Sequence, residues 1–97
     1  MVNEAQAFDQ AGRWEKAAAV RERLANFYAS KKRLDKLVLA NADELGRDYQ
    51  GMHTPKSLTA ARQTYIKALR QYNEIGLADS VEAGSSYKQL GDVYMTT

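Results

Sequence analysis

Apolar side chains recur along this chain at intervals of three and four, the spacing that gathers them on one side of an α-helix. From Arg13 to Ala29 the stripe is Trp14, Ala17, Val20, Leu24, Phe27 and Tyr28; from Lys32 to Gln50 it is Leu34, Leu37, Val38, Ala42, Leu45 and Tyr49. A third stripe, Leu58, Ala61, Tyr65, Ala68, Leu69 and Tyr72, follows Pro55. Helix punctuation falls between these runs. Asn3 can cap and Gly12 can end a short first helix, Asn3 to Ala11, and Gly51 supplies a stop for the segment that begins near Lys32. Thr54-Pro55 is a start signal, because the Thr hydroxyl accepts a free amide and Pro occupies a site that needs no donor. Gly76 ends that helix. A last one begins at Asp79-Ser80-Val81-Glu82, where Asp79 can cap and Glu82 can close a capping box, and runs to or near Thr97. Five helices joined by short connections predict antiparallel neighbours in contact, a stack of helical hairpins.

Composition sharpens the class. Ala, Leu, Arg, Lys, Gln and Glu dominate, with one Pro and few β-branched residues, which favours an all-α fold. A chain of 97 residues is expected to form one domain and to bury too little surface for a large enclosed active site. Its 14 basic and 12 acidic residues leave a net charge of +2, which does not by itself point to nucleic acid or an acidic membrane. The absence of cysteine excludes disulfides, thiolate metal sites and a Cys nucleophile. No run approaches the ~18 apolar residues of a membrane span, and the polar start Met1-Val2-Asn3-Glu4 is not a secretory signal. The chain as given reads as soluble; the lack of cysteine leaves both the cytoplasm and an oxidising compartment open, and the cytoplasm is the expectation.

Self-similarity narrows the expectation further. Tyr87-x-x-Leu90-Gly91-x-x-Tyr94 recurs 45 residues earlier as Leu45-Gly46-x-x-Tyr49, with Ala42 in place of the leading aromatic. A faint third copy is Ala5-x-x-Phe8, with Glu4 where Leu is expected. A second pattern, Ala61-x-x-x-Tyr65-x-x-Ala68-Leu69, has its counterpart 44 residues earlier in Gly12-x-Trp14-x-x-Ala17 followed by Leu24-Ala25. The two kinds of helix alternate. In these residues the chain resembles the tetratricopeptide repeat family, whose first helix carries W-x2-L-G-x2-Y, and the long spacing is similar to kinesin light chain repeats. Arg21, Leu24 and Asn73 depart from the second-helix pattern.

The resemblance implies an α-solenoid with hairpins at about 3–29 and 32–76 and the first helix of a third at about 79–97, as expected of a fragment of a longer repeat protein. The unmatched face of the last helix would then be covered by the preceding helix or by another copy in a homodimer. Independently of any family, Gly46, Gly91, Ala17, Ala61 and Ala68 are small enough for helix backbones to approach closely. Phe8, Trp14, Tyr49, Tyr65, Tyr87 and Tyr94 should fill the wedges between helices, and Gly91→Leu should destabilise severely by overpacking.

The resemblance also implies a concave groove lined by Gln6, Asp9, Asp43, Arg47, Gln50, Lys88, Asp92 and Met95, suited to a polar peptide or a partner helix, with Arg47 and Lys88 as donors to carboxylates. Lys88 fits one place of the carboxylate clamp found in some members, but Asp92 stands where a neutral Asn would be, which disfavours binding of a C-terminal carboxylate. A second candidate surface is the basic patch Arg21, Arg23, Lys31, Lys32, Arg33 and Lys36, which could meet phosphates or an acidic partner. Its cations at the expected helix start would oppose the macrodipole. His53 has no partner at a catalytic spacing, none of the five Ser residues sits in a nucleophile elbow, and neither a phosphate-binding Gly loop nor a metal-ligand cluster is present. No catalytic residue, metal or cofactor is expected. The functional expectation is a protein-interaction scaffold; the alternatives are a self-assembly module of a larger protein and a regulatory domain touching phosphate or nucleic acid through Lys31 to Lys36.

Overall fold

The computed structural model describes residues 13–96, and the expected helix Asn3–Ala11, with Gln6, Phe8 and Asp9, lies outside them. Four helices are formed among the described residues: α1 (Trp14–Ser30), α2 (Lys36–Met52), α3 (Pro55–Glu74) and α4 (Val81–Thr96). The all-helical class follows directly.

The turn after α1 departs from expectation. Lys32 adopts a left-handed backbone, φ 53°, its N–H donates to the Ala29 carbonyl at 3.0 Å, and the Arg33 N–H donates to the Tyr28 carbonyl at 3.0 Å. This is a Schellman closure with a lysine at the position glycine usually takes. Arg33 then lies over the Tyr28 ring, 4.9 Å from its centroid, and donates to Asp35 at 2.6 Å. Asp35 in turn accepts from the Val38 N–H at 3.1 Å and caps α2. Helix α2 therefore starts at Lys36 and not near Lys32, and Lys31, Lys32 and Arg33 follow the C-terminus of α1. Cations are favoured there by the macrodipole, the reverse of the expected opposition. Lys32→Gly is expected to raise stability by about 0.5–1 kcal/mol, since a Cβ in left-handed conformation is costly; urea unfolding would measure it.

Helix α2 runs through Gly51, the expected stop, and ends at Met52, with His53 in left-handed conformation as its cap, φ 55°. Gly51 serves packing instead: a Cβ built there would meet the Trp14 indole at 2.3 Å. The next helix begins as expected. Thr54 accepts from the Ser57 N–H at 3.0 Å while Ser57 Oγ accepts from the Thr54 N–H at 2.8 Å, with Pro55 inside the first turn. Helix α3 closes at Gly76, φ 78°, where the Leu77 N–H reaches the Tyr72 carbonyl at 2.8 Å and Leu77 packs on the core around Tyr72. At the start of α4 it is Ser80, not Asp79, that accepts from the Ala83 N–H, at 3.1 Å.

Consecutive helices pack against one another. Trp14 meets Gly51 and Arg21 meets Asp48, so α1 and α2 run antiparallel. Tyr65 meets Gly46 and Tyr72 meets Asp43, so α2 and α3 do too. In the core, Leu39, Ala68, Tyr72 and Ala83 form one cluster; Ala61, Tyr65 and Val93, flanked by Tyr49 and Leu90, form the other. Ala83 thus lies with Ala68 and Tyr72, and Val93 with Ala61 and Tyr65, which makes α4 antiparallel to α3. Leu39 is fully buried although it lies off the expected stripe, and Leu37, which is on it, is half exposed. The reason is that α2 contacts α1, α3 and α4 and so buries a wider arc than one stripe.

Helices α2 and α4 lie side by side and parallel. Lys36 meets Glu82 at 3.8 Å, Asp43 accepts from Ser86 at 2.5 Å across a separation of 43 positions, and Tyr49 packs beside the cluster that holds Val93. This offset is close to the 45-residue spacing of the sequence repeat. The aromatic positions of α4 do not behave as expected, however. Tyr87 and Tyr94 are 60% and 52% exposed, and among the described residues no atom lies within 4 Å of a Cβ built on Gly91. Gly91→Leu therefore meets open space and not an overpacked core, because α3 and α2 cover only the sides of α4 that carry Ala83, Ser86, Leu90 and Val93.

Candidate functional site

The face shared by α2 and α4 is built from the helix positions that follow the parallel register. Between the two helices lies a shallow depression of about 250 Å³, lined by Ala40, Asp43, Glu44 and Arg47 of α2, Tyr72 of α3, and Val81, Glu82 and Ser85 of α4. Ser85 is one turn before Lys88 and two before Asp92, so the expected groove residues of α4 continue the same stripe. Lys88, Asp92 and Met95 are all exposed.

Two of the expected groove residues have structural work. Asp43 Oδ1 accepts from the Ser86 hydroxyl at 2.5 Å and Oδ2 from the Tyr72 hydroxyl at 3.0 Å, so one carboxylate joins α2, α3 and α4. Gln50 Oε1 accepts from the Tyr65 hydroxyl at 2.6 Å. Arg47 is exposed and pairs through Nη1 with Glu44 on its own helix at 3.1 Å. Glu44, Val81, Glu82 and Ser85 escaped the sequence reading. Ser85 lies one turn and Val81 two turns before Lys88, and Glu44 lies one turn before Arg47, so extending those two stripes toward the helix N-termini reaches these three.

Burial raises the Asp43 carboxyl above its ordinary value, and the hydrogen bonds from Ser86 and Tyr72 oppose that shift. The folded protein thus holds this proton more tightly than the unfolded chain. Its contribution to stability is fully present below the unfolded value near 3.8 and is lost as the pH rises through the raised folded value. Asp43→Asn should remove this step, so that the stability difference between wild type and variant changes across that acidic window and is flat above it. Urea unfolding at a series of pH values checks the expectation. Burial likewise pushes the Tyr65 and Tyr72 hydroxyls up, and for Tyr72 the Asp43 carboxylate adds to the effect.

One member of the basic patch, Arg21, is not on the surface. Arg21 is 3% exposed and makes a bidentate pair with the fully buried Asp48, with Nη1 at 2.9 and 2.7 Å from the two carboxylate oxygens. Asn41 donates to the Arg21 carbonyl at 3.1 Å, and Glu44 stands 3.9 Å from Nη2. The expectation that Arg21 meets phosphates is therefore corrected: it is an interior cation held between α1 and α2. Arg33 is engaged by Asp35 and Tyr28, Lys36 by Glu82, and Lys31 lies 5.8 Å from the Phe27 ring centroid. Arg23 and Lys32 are exposed. The signal for Arg21 was its place on the apolar stripe, beside Val20 and Leu24, where a charge demands a buried partner.

His53 is the exposed left-handed cap of α2, and no group of three His, Cys, Asp or Glu among the described residues is placed to hold a metal. No described helix is long and apolar enough to cross a membrane.

Comparisons with protein-family models, curated proteins and solved structures gave no match. The α2–α4 face carries charges of both signs beside apolar side chains. Arg47 and Lys88 can donate to carboxylates, Glu44, Glu82 and Asp92 can accept from cations, and Val81 and Met95 offer apolar contact at either end.

Proposed function

We propose that this chain is a protein-interaction module of tetratricopeptide type, which holds a peptide or partner helix along the face shared by α2 and α4. The observation that carries this reading is the parallel pairing of the two helices at an offset of 43 positions, next to the 45-residue sequence repeat. Equivalent positions of successive repeats then line one continuous surface, and repeat arrays use such surfaces for binding. The mixed charge suits a polar segment with both signs. A nucleic-acid role through Lys31 to Lys36 is less favoured, since Arg33 and Lys36 face Asp35 and Glu82.

The test is selection of peptides against the full 97-residue chain from a random displayed library, followed by mapping of amide chemical shifts. Binders should perturb α2 and α4 residues around Arg47, Ser85 and Lys88. Arg47→Glu should weaken them by about 10-fold with helicity unchanged, the loss of one charge-assisted hydrogen bond. Binders that perturb only α1 and α3 would sink the proposal.

A further inference from the structure

The exposed stripe of α4 next to the groove has a regular composition. Gly84, Tyr87, Gly91 and Tyr94 follow one another at alternating spacings of three and four, the heptad rhythm that keeps a seam on one side of a helix. Neither glycine has an atom of the described residues within 4 Å of a built Cβ, and both tyrosines are more than half exposed. The stripe thus alternates open notches with projecting rings.

Elsewhere this protein closes such notches with rings. The Tyr65 ring covers Gly46 so closely that a built Cβ would lie 2.5 Å from it, and the Trp14 indole covers Gly51 in the same way. Both helical glycines of α2 receive an aromatic side chain from a neighbouring antiparallel helix. Those of α4 receive none from the described residues.

We infer that α4 is a homodimerisation helix, pairing antiparallel with α4 of a second copy so that each Tyr87 covers Gly91 of the other copy and each Tyr94 covers Gly84. An antiparallel pair with its two-fold axis level with Gln89 satisfies all four ring-on-glycine contacts at once, because the stripe is its own complement. The same register brings Lys88 of each copy to the flank that carries Asp92 of the other, so opposite charges line both ends of one edge. On the opposite edge, Arg62 of α3 lies 5.8 Å from the Tyr94 ring centroid. Charge pairing and ring placement thus select a second copy of this chain as the occupant. The surface is the next stripe around α4 from the groove, and the inference does not rest on the groove's function. One helix face is smaller than the ~1,600 Å² of a standard interface, so the dimer should dissociate on dilution.

Sedimentation equilibrium of the full chain over a wide concentration range tests this. The wild type should pass from monomer to dimer. Gly91→Glu, which fills the notch where the fold leaves room, should weaken association by at least about 10-fold while far-UV circular dichroism is unchanged. Lys88→Glu alone should also weaken it, and Lys88→Glu combined with Asp92→Lys should restore it, because the swapped charges pair again across the axis. A wild type that stays monomeric at every concentration overturns the inference and leaves the stripe to a helix of another protein or to solvent. A dimer that forms equally well in Gly91→Glu and Lys88→Glu overturns it too, because another face is then used. Peptides selected on the groove should still bind Gly91→Glu, which keeps the two readings separable.

Discussion

Asp48→Ala is expected to destabilise the protein by about 3–5 kcal/mol, the loss typical when one member of a buried ion pair is removed and the other charge stays behind. Asp48 is fully buried and Arg21 nearly so, and the two share a bidentate contact between α1 and α2. Without the carboxylate, the guanidinium would stay in the interior, with Glu44 at 3.9 Å as its next acidic neighbour among the described residues. That neighbour is partly exposed, so its attraction is screened. In a chain of this size each kcal/mol is worth roughly 4–8 °C in Tm, so the variant should melt far below the wild type. The joint replacement Arg21→Met with Asp48→Leu should recover most of the loss, since apolar side chains of similar volume avoid the desolvation of two charges. Urea unfolding of the two single variants and the double variant forms the necessary cycle. A single-variant cost under about 1 kcal/mol would mean that water reaches the pair in solution.

The second large effect concerns two glycines at matching repeat positions. Gly46→Ala is expected to cost about 1–3 kcal/mol by overpacking, because the new methyl would lie 2.5 Å from a Tyr65 ring that is fully buried and cannot swing away. Helix propensity works in the other direction, yet it is worth only about 1 kcal/mol and does not win. Gly91→Ala has no such opponent. It should stabilise the monomer by about 0.5–1 kcal/mol through propensity alone. Thermal melts of the two variants, run at concentrations low enough to suppress association, should therefore shift in opposite directions. A loss of stability in Gly91→Ala would show that the stripe is already covered within one chain.

The signals that were legible in the sequence are local ones. Thr54, Pro55 and Ser57 lie within one turn of each other, and the positive φ of Gly76 is a conformation that only glycine adopts freely, so both ends of α3 could be read without any tertiary knowledge. The start of α2 was not legible, because Lys32 enters the left-handed region against its own preference. What holds it there is a set of contacts among Tyr28, Arg33 and Asp35 that forms only once the turn exists. Gly51 reads as a stop by composition and is a packing site in fact, a choice made by Trp14 from 37 positions away in the chain, beyond any local window. The candidate groove shows the same division. The resemblance put Arg47, Lys88 and Asp92 in the groove and all three are exposed, whereas the internal use of Asp43 and Gln50 depends on where the hydroxyls of Tyr72, Ser86 and Tyr65 arrive. A carboxylate on the shared face can serve a partner or the core, and only the third dimension decides between them.

The turn between α1 and α2 has a consequence for proteolysis. Lys31, Lys32 and Arg33 place three consecutive trypsin sites in one exposed turn, but the backbone there is closed by the two reverse hydrogen bonds to Ala29 and Tyr28. A protease active site needs a segment drawn out into extended form, so the bonds at Lys32 and Arg33 must open before the chain is cut. When opening and closing are fast compared with cleavage, the rate of cutting follows the population of the open form. The digestion rate at this single turn is thus a built-in gauge of how often α1 lets go of its last turn, a local event that global unfolding curves do not register.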